Sequence, residues 1–522
     1  MTPASPPIRH NDYGSVEPPP IGDWRPELSV SVVIPAYDCQ DALDRTLAAL
    51  AVQTYPADLL DVVVADDGSR PALRVPPIAP ARTRVVRVPE GWGRGAARQA
   101  GALAATGEVI HWLDSDMILD REHIEAHMRW HHVLGYAVVI GDIRFVPLPA
   151  PSAREVFEGS YLPPEGEGRA YTARIHAETR MLKDAGPSAY LVHTGATTSV
   201  PARLLRAAGG VDASLNMAED TELGYRLAQA GAVFVPEPLA RSWHVGESTV
   251  MRREKEVHRH NWSFLGDLIP ELRWLRGHPR RQWRVPYVRV VVEAGGYEPT
   301  RATVDSALAG TLADVAVTLV GPWDKLTGER RSSLDDPMLE TRLLHNLYRY
   351  EPRVDFAEAA PTTAAPTPFL LTVPAGWALG AETLHRLVRL ADADIRGLIS
   401  VALDEHETGV LTARLERTAA FARARLLTQD HHDDLVDQTF GSMWVSGQEY
   451  DFSTAAEAGP LAGDPAKWRA VATERQKEIK ALTAEVARLT ARVEELSAPP
   501  PDKDKDTGGG LGSLIRHLRS AG

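Results

Sequence analysis

The stretch "LSVSVVIPAY", residues 28–37, decides the fold. Its β-branched apolar run is continuous rather than alternating, the pattern of a strand buried on both faces in a parallel sheet. Leu43, Leu47, Leu50 and Ala51 then recur at helical spacing. Residues 59–69, "LLDVVVADDGS", read as a second buried strand, "TRVVRV" (83–88) as a third and "GEVIHWL" (107–113) as a fourth. Between the last two lies a helical segment, "GAARQAGALAAT", residues 95–106. Strands alternating with helices predict a doubly wound α/β sheet, in which ligands bind beyond the carboxyl ends of the strands. Each early strand ends in polar residues: Tyr37 and Asp38, Asp66 and Asp67, then Asp114 and Asp116.

The chain has 522 residues, 44% hydrophobic and 24% charged, which is globular composition and too long for one ordinary core. Seventy acidic against 57 basic residues leave a net charge of −13, which argues against nucleic acid as a partner. Cys39 is the sole cysteine, so neither an intramolecular disulfide nor a cysteine-based zinc cluster can form, as expected of a cytoplasmic protein. No stretch approaches the roughly 18 apolar residues of a membrane span.

Five regions follow from composition and periodicity. Residues 1–27 are rich in Pro and polar groups and read as a disordered lead-in. Residues 28–284 form the first α/β domain. From 285 to 460 a second α/β unit repeats the strand-helix-strand order, but Val373-Pro374-Ala375-Gly376 stands where the first domain has its aspartates. It reads equally as a degenerate copy of the first domain or as an unrelated one. In residues 465–498, Ile479, Leu482, Val486, Leu489, Val493 and Leu496 alternate three and four apart, the seam of a coiled coil and a homo-oligomer, or of one amphipathic helix. Residues 499–522 are a linker and a short amphipathic tail whose Leu511, Leu514, Ile515 and Leu518 are suited to weak peripheral membrane contact.

In "HWLDSDMILD" (111–120), carboxylates spaced D-x-D at a strand end can place one oxygen on Mg or Mn and another on a ribose hydroxyl; the plainer reading is a helix cap. Tyr37 and Asp67 lie on the same sheet edge and suit a uridine-like base by stacking and by accepting its N–H. "DDGS" is also good turn chemistry. Gly91, Gly93 and Gly95 loosely imitate a dinucleotide fingerprint, the basis of a rival NAD-dependent oxidoreductase reading, though the third glycine is out of place. Glu219 and Asp220 open a helix, where acids serve either catalysis or the helix dipole. "STVMRREKEVHRHNW" (248–262), with Arg252, Arg253 and Lys255, reads as a diphosphate-covering loop or a solvated charged helix.

The stretches "VSVVIPAY", "VVVADDGS", "GRGAARQAG", "WLDSD" and "GGVDASLNMAEDTELGYRLAQAG" stand in the order and approximate spacing of family 2 glycosyltransferases of the GT-A fold, which the chain resembles over residues 29–262. Its latter part is similar to the galactosyltransferase-like region of chondroitin-polymerase-type enzymes. The resemblance implies a Rossmann-like mixed sheet and transfer of a sugar, with inversion, from a nucleotide diphosphate, UDP above all, to a glycan, lipid-linked or cell-envelope acceptor. It implies that Pro35, Tyr37 and Asp67 hold the base, that Arg98 stands near the nucleotide, and that Asp114 with Ser115 meets the ribose. Asp116 and His244 would bind Mn or Mg, Asp220 would be the base, and Glu219, Thr194 and Gly195 would face the acceptor. Asp38 and Gln99 stand where the family usually has Asn, and the QxxRW signature of processive synthases is missing. A sugar-nucleotide-binding scaffold without turnover, or a nucleotidyltransferase, is the alternative on the same fold.

Overall fold

In the computed structural model, residues 5–277, 281–329, 331–407, 409–458, 473–474, 476–477 and 479–490 are described. The first domain is built on a mixed sheet of β1 (Val30–Ala36), β2 (Leu60–Asp66), β3 (Thr83–Arg87), β4 (Val109–Leu113), β5 (Met117–Leu119), β6 (Ala137–Val146), β7 (Thr197–Pro201) and β8 (Val233–Val245). Their order is β3-β2-β1-β4-β7-β6-β8-β5. The first four are parallel, as the continuous apolar runs require, and every residue of β2 is buried. β7 then pairs antiparallel with both β4 and β6, and β5 antiparallel with β8. The carboxyl ends of β1, β2 and β4 therefore share one edge with the amino end of β7, where the candidate residues gather.

Two expectations need correction. Residues 5–27 are packed rather than disordered: Ile8, Tyr13 and Val16 are buried, and the Asn11 amide donates to the Leu182 and Phe234 carbonyls. Proline removes regular hydrogen bonding from such a segment without preventing its apolar side chains from docking. By its sequence "ARSWHVGEST" (240–249) reads as a loop, yet "SWHV" is the end of β8, because Met117–Leu119 pairs with it. "TVMRREKEVHRHNW" is helical, within Thr249–Leu268, the Ser248 side chain accepting from Met251 N–H; Arg252, Arg253 and Lys255 are exposed on it.

The second sheet has β9 (Val288–Glu293), β10 (Val315–Val320), β11 (Val354–Ala357), β12 (Phe369–Thr372), β14 (Leu398–His406), β15 (Gly409–Arg417) and β16 (Ser442–Ser446), ordered β11-β10-β9-β12-β15-β14-β16; β13 (Trp377–Leu379) pairs with β17 (Phe452–Thr454). Matched strand for strand, this is the order of the first sheet, with the same parallel and antiparallel pairings. Trp377 opens β13 as Met117 opens β5, and Thr383 opens the next helix as His123 does, at identical spacing.

The two sheets belong to one compact unit. Arg423, fully buried, donates to the Gly231, Ala232, Ile8 and His10 carbonyls, and the Tyr225 hydroxyl to that of Pro366. In the remaining unit, residues 481–490 are helical, and Ile479, Leu482, Val486 and Leu489 are exposed; Val493, Leu496 and the tail lie outside the described residues. Among the described residues no helix is long and apolar enough to cross a membrane.

Candidate active site

At the end of β1, Pro35 is half-buried and the Tyr37 ring is 62% exposed, open to stack on a planar ligand. The two carboxylates ending β2 divide the work. Asp66 is buried and accepts from the N–H groups of Ser69 and Leu73, which closes the turn. Asp67 instead accepts from Gly93 N–H at 2.7 Å. Burial pushes the Asp67 carboxyl up, and the neighbouring Asp66 charge adds to this.

The glycines of "GWGRG" are explained by close approach rather than by a dinucleotide. A methyl group at Gly95 would lie 2.3 Å from the Leu215 carbonyl oxygen, and one at Gly93 2.9 Å from Asn216 Oδ1. This packing sets the helix Gly93–Ala104 against the loop before Glu219, and it leaves Arg94, which sequence reasoning passed over, exposed near Asp220.

After β4, Asp114, Ser115 and Asp116 are all partly exposed. Thr46 Oγ1 donates toward the Ser115 and Met117 carbonyls and accepts from Met117 N–H, which shapes the turn, and the Cys39 thiol lies 3.3 Å from Ser115 Oγ. Asp116 Oδ2 is 3.2 Å from His244 Nε2, whereas its Oδ1 is buried without a partner. His244 Nδ1 faces the Gly246 carbonyl at 3.1 Å and donates to it, which orients the ring so that Nε2 donates to Asp116 when protonated and would offer its lone pair to a metal in the proton's place. Burial alone would lower the His244 imidazole; its contact with Asp116 more than reverses this and raises it. An orphaned carboxylate oxygen beside an oriented imidazole lone pair fits a divalent cation that takes its other ligands from phosphates and water.

Arg98 sits elsewhere than expected. It is 3% exposed, donates to Asp114 Oδ1 at 2.8 Å and pairs with Glu219, so it braces the donor-side carboxylate against the helix Glu219–Gln229 and does not present itself to the nucleotide. Glu219, expected to face the acceptor, is 2% exposed and is that brace's other end. Both placements have one cause: a guanidinium buried to this depth needs counter-charges, and Asp114 and Glu219 bond it directly while Asp220 lies close enough to act on it. Gly195 makes room for it, since a methyl group there would lie 2.2 Å from the guanidinium carbon. Gly195→Ala should therefore destabilise the fold by about 2–3 kcal/mol through overpacking, seen as a lowered urea midpoint at unchanged slope.

Asp220 keeps a partly open carboxylate that accepts from Thr221 N–H at 2.7 Å and Gly195 N–H at 3.4 Å. The cap position of its helix is Ala218, which makes no side-chain cap, so helix capping does not account for the acids. Burial pushes the Asp220 carboxyl up; Arg98, foremost among its neighbours, together with the Thr221 N–H and Arg94, more than offsets that and holds it below the usual carboxylate range. His193, driven down to about 4 by burial, is neutral at pH 7 and holds the Asp220 carbonyl through Nδ1. Beside them, Thr194 lines a cavity of about 280 Å³ together with Asp142, Arg144, Arg169 and His176.

Residues 31–174 match the family described as Glycosyl transferase family 2. The chain carries a family 2 glycosyltransferase domain. Its mixed sheet, with the acidic strand ends on one edge, has the GT-A organisation expected of that domain. The glycosyltransferase domain is similar to validoxylamine A glucosyltransferase of Streptomyces hygroscopicus subsp. limoneus, 28% identical over 277 residues, 47% of this chain and 58% of that one. It is likewise similar to the pre-mycofactocin glycosyltransferase of Mycobacterium tuberculosis, 28% identical over 41% of this chain and 42% of the relative. The chain thus spans roughly half the length of these curated relatives. Among solved structures, TarS of S. aureus in complex with UDP-GlcNAc aligns over 46% of this chain and 68% of its own at 18% identity, with a TM-score of 0.33.

Proposed function

We propose that the glycosyltransferase domain moves a sugar from a nucleotide diphosphate donor, UDP-linked, to a hydroxyl of a glycan, lipid-linked or cell-envelope acceptor, with inversion. The observation that carries this is the Asp116–His244 pair, with its unpartnered carboxylate oxygen, on the sheet edge that also holds Tyr37, Asp67 and Asp114. Tyr37 and Asp67 hold the base, Asp114 and Ser115 the ribose. Asp116 and His244 would hold Mn or Mg, whose charge supports departure of the diphosphate. Asp220 accepts the proton of the acceptor hydroxyl as its oxygen bonds to the anomeric carbon. The bond from that carbon to the diphosphate breaks, and the nucleotide leaves with both electrons. Arg98 and Glu219 act as positioning residues that keep Asp220 in register with Asp114, and the Thr194 cavity receives the acceptor.

The direct test is thermal unfolding of the full chain with a panel of nucleotide sugars and Mn. One UDP-sugar should stabilise it, by about 2.7 kcal/mol at a hundredfold excess over Kd, and Asp116→Ala should abolish the effect. Stabilisation by NAD instead, or by no nucleotide sugar, would refute the reading; binding without transfer to any acceptor hydroxyl would favour the scaffold. The matched strand orders support a second unit derived from the same fold without the metal aspartates, Pro374, Ala375 and Gly376 standing in their place. The exposed seam of Ile479, Leu482, Val486 and Leu489 supports self-association, which light scattering of the full chain and of Leu482→Asp would test.

A further inference from the structure

Behind the D-x-D turn, four histidines meet in the interior. His111 lies on β4, and His123, His127 and His131 lie on one face of the helix His123–His131; all are at most 1% exposed. Ligand atoms of His111, His123 and His127 lie within 4.8 Å of one another. His123 Nδ1 is 3.0 Å from the Arg241 carbonyl oxygen, so it carries the proton and the Nε2 lone pair faces inward, 3.0 Å from Thr197 Oγ1. His127 Nε2 faces the same hydroxyl at 3.2 Å, and Ser199 Oγ lies between His127 Nδ1 and His131 Nε2 at 2.9 and 2.7 Å. Those two hydroxyls, with the Arg241 carbonyl, can satisfy His123 and His127 fully and one nitrogen of His131, whose Nδ1 is buried without a partner. Nothing satisfies His111, whose two ring nitrogens are both buried without a partner. A neutral imidazole always carries one N–H, so leaving it unmatched costs about 1–3 kcal/mol.

The second sheet serves as an internal control on whether the fold needs this polarity. His111 pairs across the first sheet with Val32 and Ser199, and Ser199 with Val139; in the second, Leu371 pairs with Val290 and Leu415, and Leu415 with Ile399. Leu371 and Leu415 therefore occupy the places of His111 and Ser199. Counting along the matched helices, Leu387 and Ala391 stand where His127 and His131 do, and Thr383 where His123 does. The same architecture packs this layer with four apolar side chains and one threonine, whose hydroxyl donates to the Tyr450 carbonyl, and all five counterparts are buried. The histidines are thus a property of the first domain, not a requirement of its sheet.

We propose that His111, His123 and His127 form a second, buried metal site for a borderline transition-metal ion such as zinc. Imidazoles suit zinc, copper, iron and nickel, while the lack of a carboxylate in the cluster disfavours Mg and Mn, so this site selects a different ion from Asp116 and His244. Burial holds all three imidazoles low, to about 4 for His123, so their lone pairs are free at neutral pH. The Arg241 carbonyl orients His123 from outside the cluster, as backbone carbonyls do for metal-bound histidines. A water or hydroxide, or the Thr197 hydroxyl, completes the fourth position and tempers the buried charge. Gly141, which lines the Thr194 cavity, separates that cavity from the cluster by the width of a backbone; a methyl group there would lie 2.6 Å from Thr197 Oγ1 and 3.0 Å from His127 Nε2. The ion ties β4 to the helix behind Asp114 and Asp116 and so stiffens the donor site from within.

The test uses untagged full-length chain, loaded with zinc, dialysed against metal-free buffer and assayed by mass spectrometry of its metals. About one zinc per chain should remain, in Asp116→Ala as well as in the unaltered protein, and a strong chelator should lower the Tm. His111→Leu and His127→Leu, which copy Leu371 and Leu387, should fall to less than about a tenth of an equivalent. Cobalt in place of zinc should give the intense visible absorption of a tetrahedral site in the unaltered chain, a readout that does not depend on the variants folding. No retained zinc with no cobalt absorption, or retention undiminished in folded His127→Leu, would overturn the proposal.

Discussion

Asp220→Asn should lower kcat by about 10²–10⁴ while leaving the thermal shift produced by the UDP-sugar unchanged. The amide preserves the side-chain volume, and its single carbonyl oxygen can keep the 2.7 Å contact from Thr221 N–H while giving up the 3.4 Å one from Gly195 N–H, so the main loss is the ability to take the acceptor's proton. Activity within a factor of about three of the unaltered chain would remove Asp220 from the base role. The pH dependence follows from its neighbour. Because Arg98, together with the Thr221 N–H and Arg94, holds the folded carboxyl below the usual range against the upward push of burial, Asp220 is ionised throughout the neutral range, and its protonation does not limit turnover above about pH 5. A depressed folded pKa stabilises the native state fully above the unfolded aspartate value of about 3.9, and that contribution is lost as the pH falls through the folded value. Acid unfolding of Asp220→Asn should accordingly be less steep below about pH 4.

Arg423→Ala should cost about 3–5 kcal/mol. The guanidinium is pushed down to about 10 by burial yet remains charged at pH 7, and it is held by four backbone carbonyls from two segments, each far from Arg423 in sequence. Removing it strands those carbonyls inside the protein and also frees the lead-in around Ile8 and His10. Gly231 marks how closely the segments approach, since a methyl group there would lie 2.6 Å from Arg423 N. A single cooperative transition shifted to lower denaturant would bear this out. A loss below about 1 kcal/mol would mean that water reaches the junction and replaces the guanidinium.

Period and strand-end chemistry, both local, made the first domain legible. The β-branched runs at 30–36, 60–66 and 109–113 coincide with β1, β2 and β4, and the polar residues that follow them fall on one edge because parallel strands must align their carboxyl ends. The same locality misread residues 5–27, where composition hid three buried anchors, and "SWHV", whose strand character comes only from pairing with residues 117–119. Whether the second unit shared the first domain's plan was open in the sequence, because strand-helix-strand patterns recur and its acidic markers are gone. The match became visible only once strand order and register could be compared.

The site divides along the same line. The amino-acid order alone placed Tyr37, Asp67, Asp114, Asp116 and Asp220 at element ends, since turn and strand signals are read over a few residues. Tertiary packing turned Arg98 and Glu219 inward to each other across 121 positions of chain, and it brought His111 from β4 against the helix face bearing His123 and His127. Such pairings depend on which strands become neighbours and on what burial leaves uncompensated, quantities that belong to the folded chain and to no segment of it.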